Sequence, residues 1–400
     1  MFERGALMKK DLRSKLLRGF GMESQAFTWL EGVKRGVGSG EKIYNLTVGS
    51  PDGMPEPEMI RTLESQIDVP KNHTYAPLTG LMEFREAVAE FYLKRYGVVL
   101  DPKTEILAIP GAKRALIDLA VDFADPEGGV LLPNICYPTY RIGAQVARTR
   151  QLEYRLDPEQ NFQPVWEDLD RSDCDLLYLN YPHNPTCAAA EPETFVKAVE
   201  LAKKNNYIIC HDNAYGEILF DGREPISFLQ APGAKDVGIE IFTFSKTFNV
   251  AGWRVACMVG NADIIRIYLD SLADYASGVY CPIEYAAIKG MEIFFDNNVH
   301  QKQSARYQER RDTVTPILER KGWTVYQSEG AMYLWAKLPV KDSMEFTKRL
   351  WDKARVLVTP GVAYGDTVKD CVRIGLVYDK DFLAEAAEAI PAVGDDIYDC

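Results

Sequence analysis

Between residues 80 and 260, short apolar runs alternate with stretches of helical spacing, and that alternation restricts the chain to few architectures. Strands separated by helix-length segments cannot pair as hairpins. They run parallel and need helices to cover the sheet, which makes an α/β fold. Five strands are predicted: Glu105–Ile109, Gly129–Leu132, Asp175–Leu179, Tyr207–Cys210 and Glu240–Phe244. The helix after the first carries Leu116, Leu119, Ala120 and Phe123 on one stripe, a core face.

A long helical tract, Ile283–Asp312, leads into an α+β tail with strands at Thr324–Tyr326, Met332–Ala336 and Cys371–Leu376. A chain of 400 residues is long for one hydrophobic core. The expected division is an N-terminal arm and part of a small domain over 1–50, a large mostly parallel domain over 51–290, and the small domain over 291–400.

Chemically capable residues fall just past four strands: Gly111-Ala112-Lys113, Asn184-Pro185-Thr186, Asp212, and Ser245-Lys246. Ligands of open α/β sheets bind beyond the carboxyl ends of the strands, so these segments are expected at one rim. Lys246 lies between aromatic residues in Phe242-Thr243-Phe244-Ser245-Lys246-Thr247-Phe248, where desolvation lowers an amine's pKa and frees it for Schiff-base chemistry. Arg254 and the hydroxyls of Thr243 and Ser245 suit a phosphate dianion. A surface lysine beside a buried aromatic cluster is the plain alternative for Lys246 alone, and the whole segment outweighs it.

Asp212 suits a pyridinium nitrogen, with helix capping as its ordinary role. Tyr215 and Asn184 are placed to donate to a ring oxygen, and Tyr137 to stack on a ring. Gly111 opens a helix whose free N–H groups attract phosphate. His211 reads as strand packing. The run Gly36-Val37-Gly38-Ser39-Gly40 lacks a preceding strand and the G-K-[ST] ending of a phosphate loop, so it reads as a turn.

Composition removes other classes. A net charge of −12 leaves no cationic excess for nucleic acid. No apolar run approaches the roughly 18 residues of a membrane span, and the charged start does not resemble a secretory leader. The eight scattered cysteines contain no C-x-x-C pair, which fits reduced thiols in the cytoplasm and no metal site.

The segment Ser245-Lys246-Thr247-Phe248 through Gly252-Trp253-Arg254 resembles the signature of class I/II aminotransferases, the fold type I pyridoxal-phosphate enzymes. Asn184-Pro185-Thr186, Asp212 with Tyr215, Tyr75…Gly80…Phe84-Arg85-Glu86-Ala87 and Cys371-Val372-Arg373-Ile374 match in the family's order, over roughly residues 43 to 376.

The resemblance implies a homodimer with shared active sites and pyridoxal 5′-phosphate as cofactor. It makes Lys246 the Schiff-base lysine and proton shuttle, and pairs Asp212 with the pyridine nitrogen. Tyr215 and Asn184 go to the ring hydroxyl, and Tyr137 stacks. Gly111, Ala112, Lys113, Thr243, Ser245 and Arg254 surround the phosphate, with Tyr75 reaching it from the partner subunit. Arg373 grips the substrate α-carboxylate beside the Gly49 backbone, and Lys113 is a candidate for a distal carboxylate.

Cys187 departs from the family's Asn-Pro-Thr-Gly, Gly49-Ser50-Pro51-Asp52 from its Gly-Glu-Pro-Asp, and Ser277-Gly278-Val279 lacks the asparagine often found there. The implied reaction exchanges an amino group between an L-amino acid (aspartate, glutamate or alanine among the donors) and a 2-oxo acid. A lyase or cyclase of the same fold, and a degenerate non-catalytic module, are the alternatives.

Overall fold

The fold was obtained as a computed structural model, and it describes residues 22–38 and 40–400. The readings on the first 21 residues and on Ser39 lie outside the described residues. A seven-stranded sheet is built from β1 (Ile106–Ile109), β2 (Gly129–Pro133), β3 (Arg150–Tyr154), β4 (Leu176–Asn180), β5 (Ile208–Asn213), β6 (Gly238–Thr243) and β7 (Ala256–Gly260). Its order is β1-β7-β6-β5-β4-β2-β3, and β7 alone runs antiparallel to its neighbours.

The five predicted strands are present, each within about one to three residues of its expected ends. Two more were not foreseen. β3 is an edge strand of sequence Arg-Gln-Leu-Glu-Tyr, and its solvated positions remove the apolar signal. β7 follows the lysine segment so closely that its five residues carry no separate boundary.

Both sheet faces are covered, which is why the inner strands are buried throughout. Helices Ala112–Phe123, Thr139–Ala147 and Ala262–Tyr275 pack on one face, through Leu116, Leu119, Tyr140, Ala144, Ile265 and Tyr268. Helices Met82–Tyr96, Pro192–Asn205 and Cys281–Glu292 cover the other, through Phe84, Phe91, Phe195 and Met291. The predicted stripe is buried at Leu116, Leu119 and Ala120 and half-buried at Phe123.

The helical tract expected over Ile283–Asp312 comprises two helices, Cys281–Glu292 and Val299–Arg320, the second starting after Asn298, which takes a φ of 51°. Beyond it, a four-stranded antiparallel sheet runs in the order Thr324–Val325, Tyr333–Lys337, Cys371–Gly375, Thr359–Pro360. Tyr44–Asn45 pairs in parallel with Val356–Leu357, so the start of the chain packs with its tail in a second apolar cluster.

Candidate active site

A cavity of about 450 Å³ opens at the carboxyl ends of β4, β5 and β6 and is closed by the second sheet. Its lining includes Gly49, Ala112, Lys113, Tyr137, Asn184, Asp212, Tyr215, Thr243, Ser245, Lys246, Arg254 and Arg373. Twelve of the fourteen residues expected at the site therefore meet in one place. Gly111 adjoins the cavity through Arg254, and Tyr75 is 92% exposed and stands outside it.

β6 ends at Thr243, whose hydroxyl caps a single helical turn, Phe244–Thr247, by accepting from the Ser245 N–H. The turn seats Phe244 between Phe242 and Phe248 and leaves Lys246 facing the cavity. Its Nζ donates to the Gly49 carbonyl at 2.6 Å. Burial lowers the Lys246 pKa to about 8; Arg373 and Arg254 push the same way, against the attraction of Asp212.

The amine is the reactive form, so its fraction grows as pH rises through about 8. Reconstitution of apoprotein with pyridoxal phosphate should therefore speed up by about tenfold per pH unit below that value and level off above it. Stopped-flow absorbance reads the profile, and a pH-independent rate would contradict the lowered pKa.

Asp212, at the end of β5, accepts from the Tyr140 hydroxyl at 2.8 Å through Oδ2, while its buried Oδ1 has no protein partner. Burial raises the carboxyl pKa; Tyr140, His211 and Lys246 oppose that rise. A polar chain runs from here across the cavity floor. Asn180 Nδ2 donates to the Asp212 carbonyl at 2.8 Å, the Asn184 N–H donates to Asn180 Oδ1 at 2.9 Å, and Arg373 Nη1 donates to Asn184 Oδ1 at 2.9 Å.

Arg373 is buried, with Nη2 donating to the Thr47 carbonyl at 3.1 Å and Nε left without a partner. Its guanidinium lies 4.0 Å from the Tyr333 ring centroid and 5.2 Å from that of Tyr364. The Tyr333 and Tyr215 hydroxyls are 2.9 Å apart.

Gly111 precedes the helix Ala112–Phe123 with a φ of 87°, and a Cβ there would lie 2.2 Å from Arg254 Nη2. Only glycine lets the arginine approach this helix start. The bare backbone, the fork of Arg254 and the hydroxyls of Thr243 and Ser245 make a cradle suited to a phosphate. Cys187 holds a φ of 65°, a backbone state that suits the glycine usual there, and its thiol donates to the Tyr333 carbonyl at 3.2 Å.

Tyr140, Asn180, Tyr333, Tyr364 and Phe27 were not singled out from sequence. Asn180 carried a usable signal, a polar residue ending an apolar strand, whereas the aromatic residues look like ordinary core. His211 is packed as expected, with Nδ1 2.9 Å from Glu240 Oε2.

The family model for class I and II aminotransferases matches residues 41–390. The chain belongs to that family. It is similar to an LL-diaminopimelate aminotransferase of Dehalococcoides mccartyi, with 38% identity over 84% of this chain and 87% of the relative. An L-glutamine–4-(methylsulfanyl)-2-oxobutanoate aminotransferase of Bacillus subtilis is 36% identical over 90% of this chain and 90% of its own. A substrate-bound BacF structure from Bacillus subtilis superposes with a TM-score of 0.89 at 33% identity, covering 95% of this chain and 97% of that one.

The protein is thus a pyridoxal-phosphate-dependent aminotransferase, with an amino acid and a 2-oxo acid as substrates. The orphan Oδ1 of Asp212 and the glycine-bared cradle fit the cofactor's ring nitrogen and phosphate. Among the described residues no helix is long and apolar enough to cross a membrane, and no metal-binding cluster occurs.

Proposed function

We propose that Lys246 and Arg373 divide the chemistry of an L-amino acid between them, Lys246 handling the α-proton and Arg373 the α-carboxylate. The observation that carries this is the presence of an amine with a pKa near 8 and a buried guanidinium in one cavity, joined to Asp212 by the Asn180–Asn184 chain. Bound pyridoxal phosphate supplies an electron-withdrawing ring that accepts the electrons of the substrate Cα–H bond. Asp212 holds the proton on the ring nitrogen, Tyr215 and Asn184 orient the ring hydroxyl, and Tyr137 covers one face. Gly111, Ala112, Lys113, Thr243, Ser245 and Arg254 surround the phosphate, the lysine through its backbone N–H. The Gly49 backbone completes the carboxylate site.

The exposure of Tyr75 supports a homodimer in which Tyr75 of the partner subunit completes each phosphate site. The apolar cluster that joins Tyr44 and Leu46 to Val356, Val372 and Leu383 supports the division into an arm with part of a small domain over 1–50, a large domain over 51–290 and a small domain over 291–400. The eight free thiols support a cytoplasmic location.

The donor is read as an amino acid with a second carboxylate, such as aspartate, glutamate or LL-diaminopimelate. Lys113 supports this: it lines the cavity, its Nζ stands 6.0 Å from the Tyr137 ring centroid, and it makes no ion pair among the described residues. The half-reaction followed by cofactor absorbance, against these donors, alanine and glutamine, tests the reading. Lys113→Ala should weaken acidic donors by about 10- to 100-fold more than alanine, because the distal carboxylate loses its countercharge. Equal losses would remove the dicarboxylate preference. A neutral donor such as glutamine is the second reading, favoured by the uncharged walls at Phe27, Leu116 and Tyr364.

A further inference from the structure

Arg310, on the helix Val299–Arg320, is buried outside the cavity. Its Nη1 and Nη2 donate to the two carboxylate oxygens of Asp52, at 2.9 and 2.7 Å, and Nη1 also donates to the Leu376 carbonyl at 2.8 Å. Those two acceptors belong to different segments of the site. Asp52 ends the turn whose first members, Gly49 and Ser50, line the cavity. Leu376 directly follows the strand Cys371–Gly375, which carries Arg373.

The same two segments meet again nearer the cavity. The Gly375 N–H donates to the Leu46 carbonyl at 2.7 Å, and Arg373 Nη2 to the Thr47 carbonyl at 3.1 Å. A bidentate guanidinium–carboxylate pair fixes direction as well as distance. Burial pushes the Asp52 carboxyl pKa up, yet the pairing with Arg310 outweighs it and holds the group below its ordinary value. The next residue, Gly53, is equally constrained, since a Cβ there would lie 2.2 Å from Arg306 Nη1.

We propose that the Asp52–Arg310 pair is a positioning device for the substrate α-carboxylate, setting the separation between the Gly49 backbone and the Arg373 guanidinium. The inference rests on Arg373 as the carboxylate-binding residue. A carboxylate held between a strand and a separate turn needs their spacing correct to about 0.5 Å, and neither segment fixes that spacing alone. Arg310 touches both.

Asp52→Asn, Arg310→Gln and their double variant test this, with Arg310→Lys as a milder change should Arg310→Gln fail to fold. The probes are the fastest L-amino acid of the donor panel and the matching amine that lacks its carboxylate. Each single variant should raise KM for the amino acid on the order of 10- to 100-fold with a smaller change in kcat. Reaction with the amine and the Kd for pyridoxal phosphate, read by fluorescence titration, should stay unchanged. The double variant should be no worse than the worse single one.

Equal losses for amino acid and amine, or additive losses in the double variant, would reduce the pair to scaffolding and overturn the proposal. Arg373→Gln separates the two levels. If it abolishes the preference for amino acid over amine while Asp52→Asn keeps it, the positioning role alone is overturned. If Arg373→Gln keeps the preference, the carboxylate assignment and the positioning role are overturned together.

Discussion

Lys246→Ala is expected to lower transamination by more than about 10⁴-fold, since it removes both the nucleophile and the proton carrier at one position. Cofactor should still bind, because the cradle of Gly111, Ser245 and Arg254 does not depend on the lysine side chain. The second lysine lining the cavity, Lys113, is exposed in the first turn of the helix Ala112–Phe123, apart from the turn Phe244–Thr247 that carries Lys246. Borohydride reduction of the wild-type protein, followed by peptide mass mapping, should place a phosphopyridoxyl group on Lys246. Label on Lys113, or no label at all, would overturn the assignment.

The other large effect is expected for Arg373→Ala. Losing one partner of a buried charge-assisted pair costs about 2–5 kcal/mol, so kcat/KM should fall roughly 30- to 5,000-fold. The loss has two sources. The substrate carboxylate loses its counterion, and Asn184 Oδ1 and the Thr47 carbonyl lose their donors. Thermal unfolding recorded on the same sample separates them, because the second source lowers Tm and the first does not. An unchanged kcat/KM would exclude Arg373 from substrate binding.

The Lys246 segment was legible in sequence because its chemistry is local. The end of a strand, a hydroxyl cap, an amine between aromatic rings and an arginine eight positions on all lie within thirteen residues, 242–254. Asp212, Asn184 and Gly111 were legible for a related reason: Asp212 stands near the end of a strand, Asn184 in the loop after one and Gly111 just before a helix, and in a parallel sheet those positions share one rim. The alternation of apolar runs determined the large sheet, since buried inner strands must be apolar on both faces. The edge strand β3 escaped because only its pairing with β2 marks it as a strand.

Tertiary structure decided what depends on contacts between residues far apart in the chain. Tyr140 reaches Asp212 across 72 positions, Tyr333 meets Tyr215 across 118, and Arg310 meets Asp52 across 258. A buried tyrosine or a helix arginine carries no mark of such a partner, because hydropathy records whether a side chain is buried and not against what. The sequence by itself determined the sheet, the cofactor chemistry and the residues at strand ends, all set by periodicity and local order. Only the tertiary contacts of the tail decided how Arg373 is sandwiched between Tyr333 and Tyr364 and how Arg310 holds the segment after Gly49, since a buried charge survives only where partners brought by the fold satisfy it.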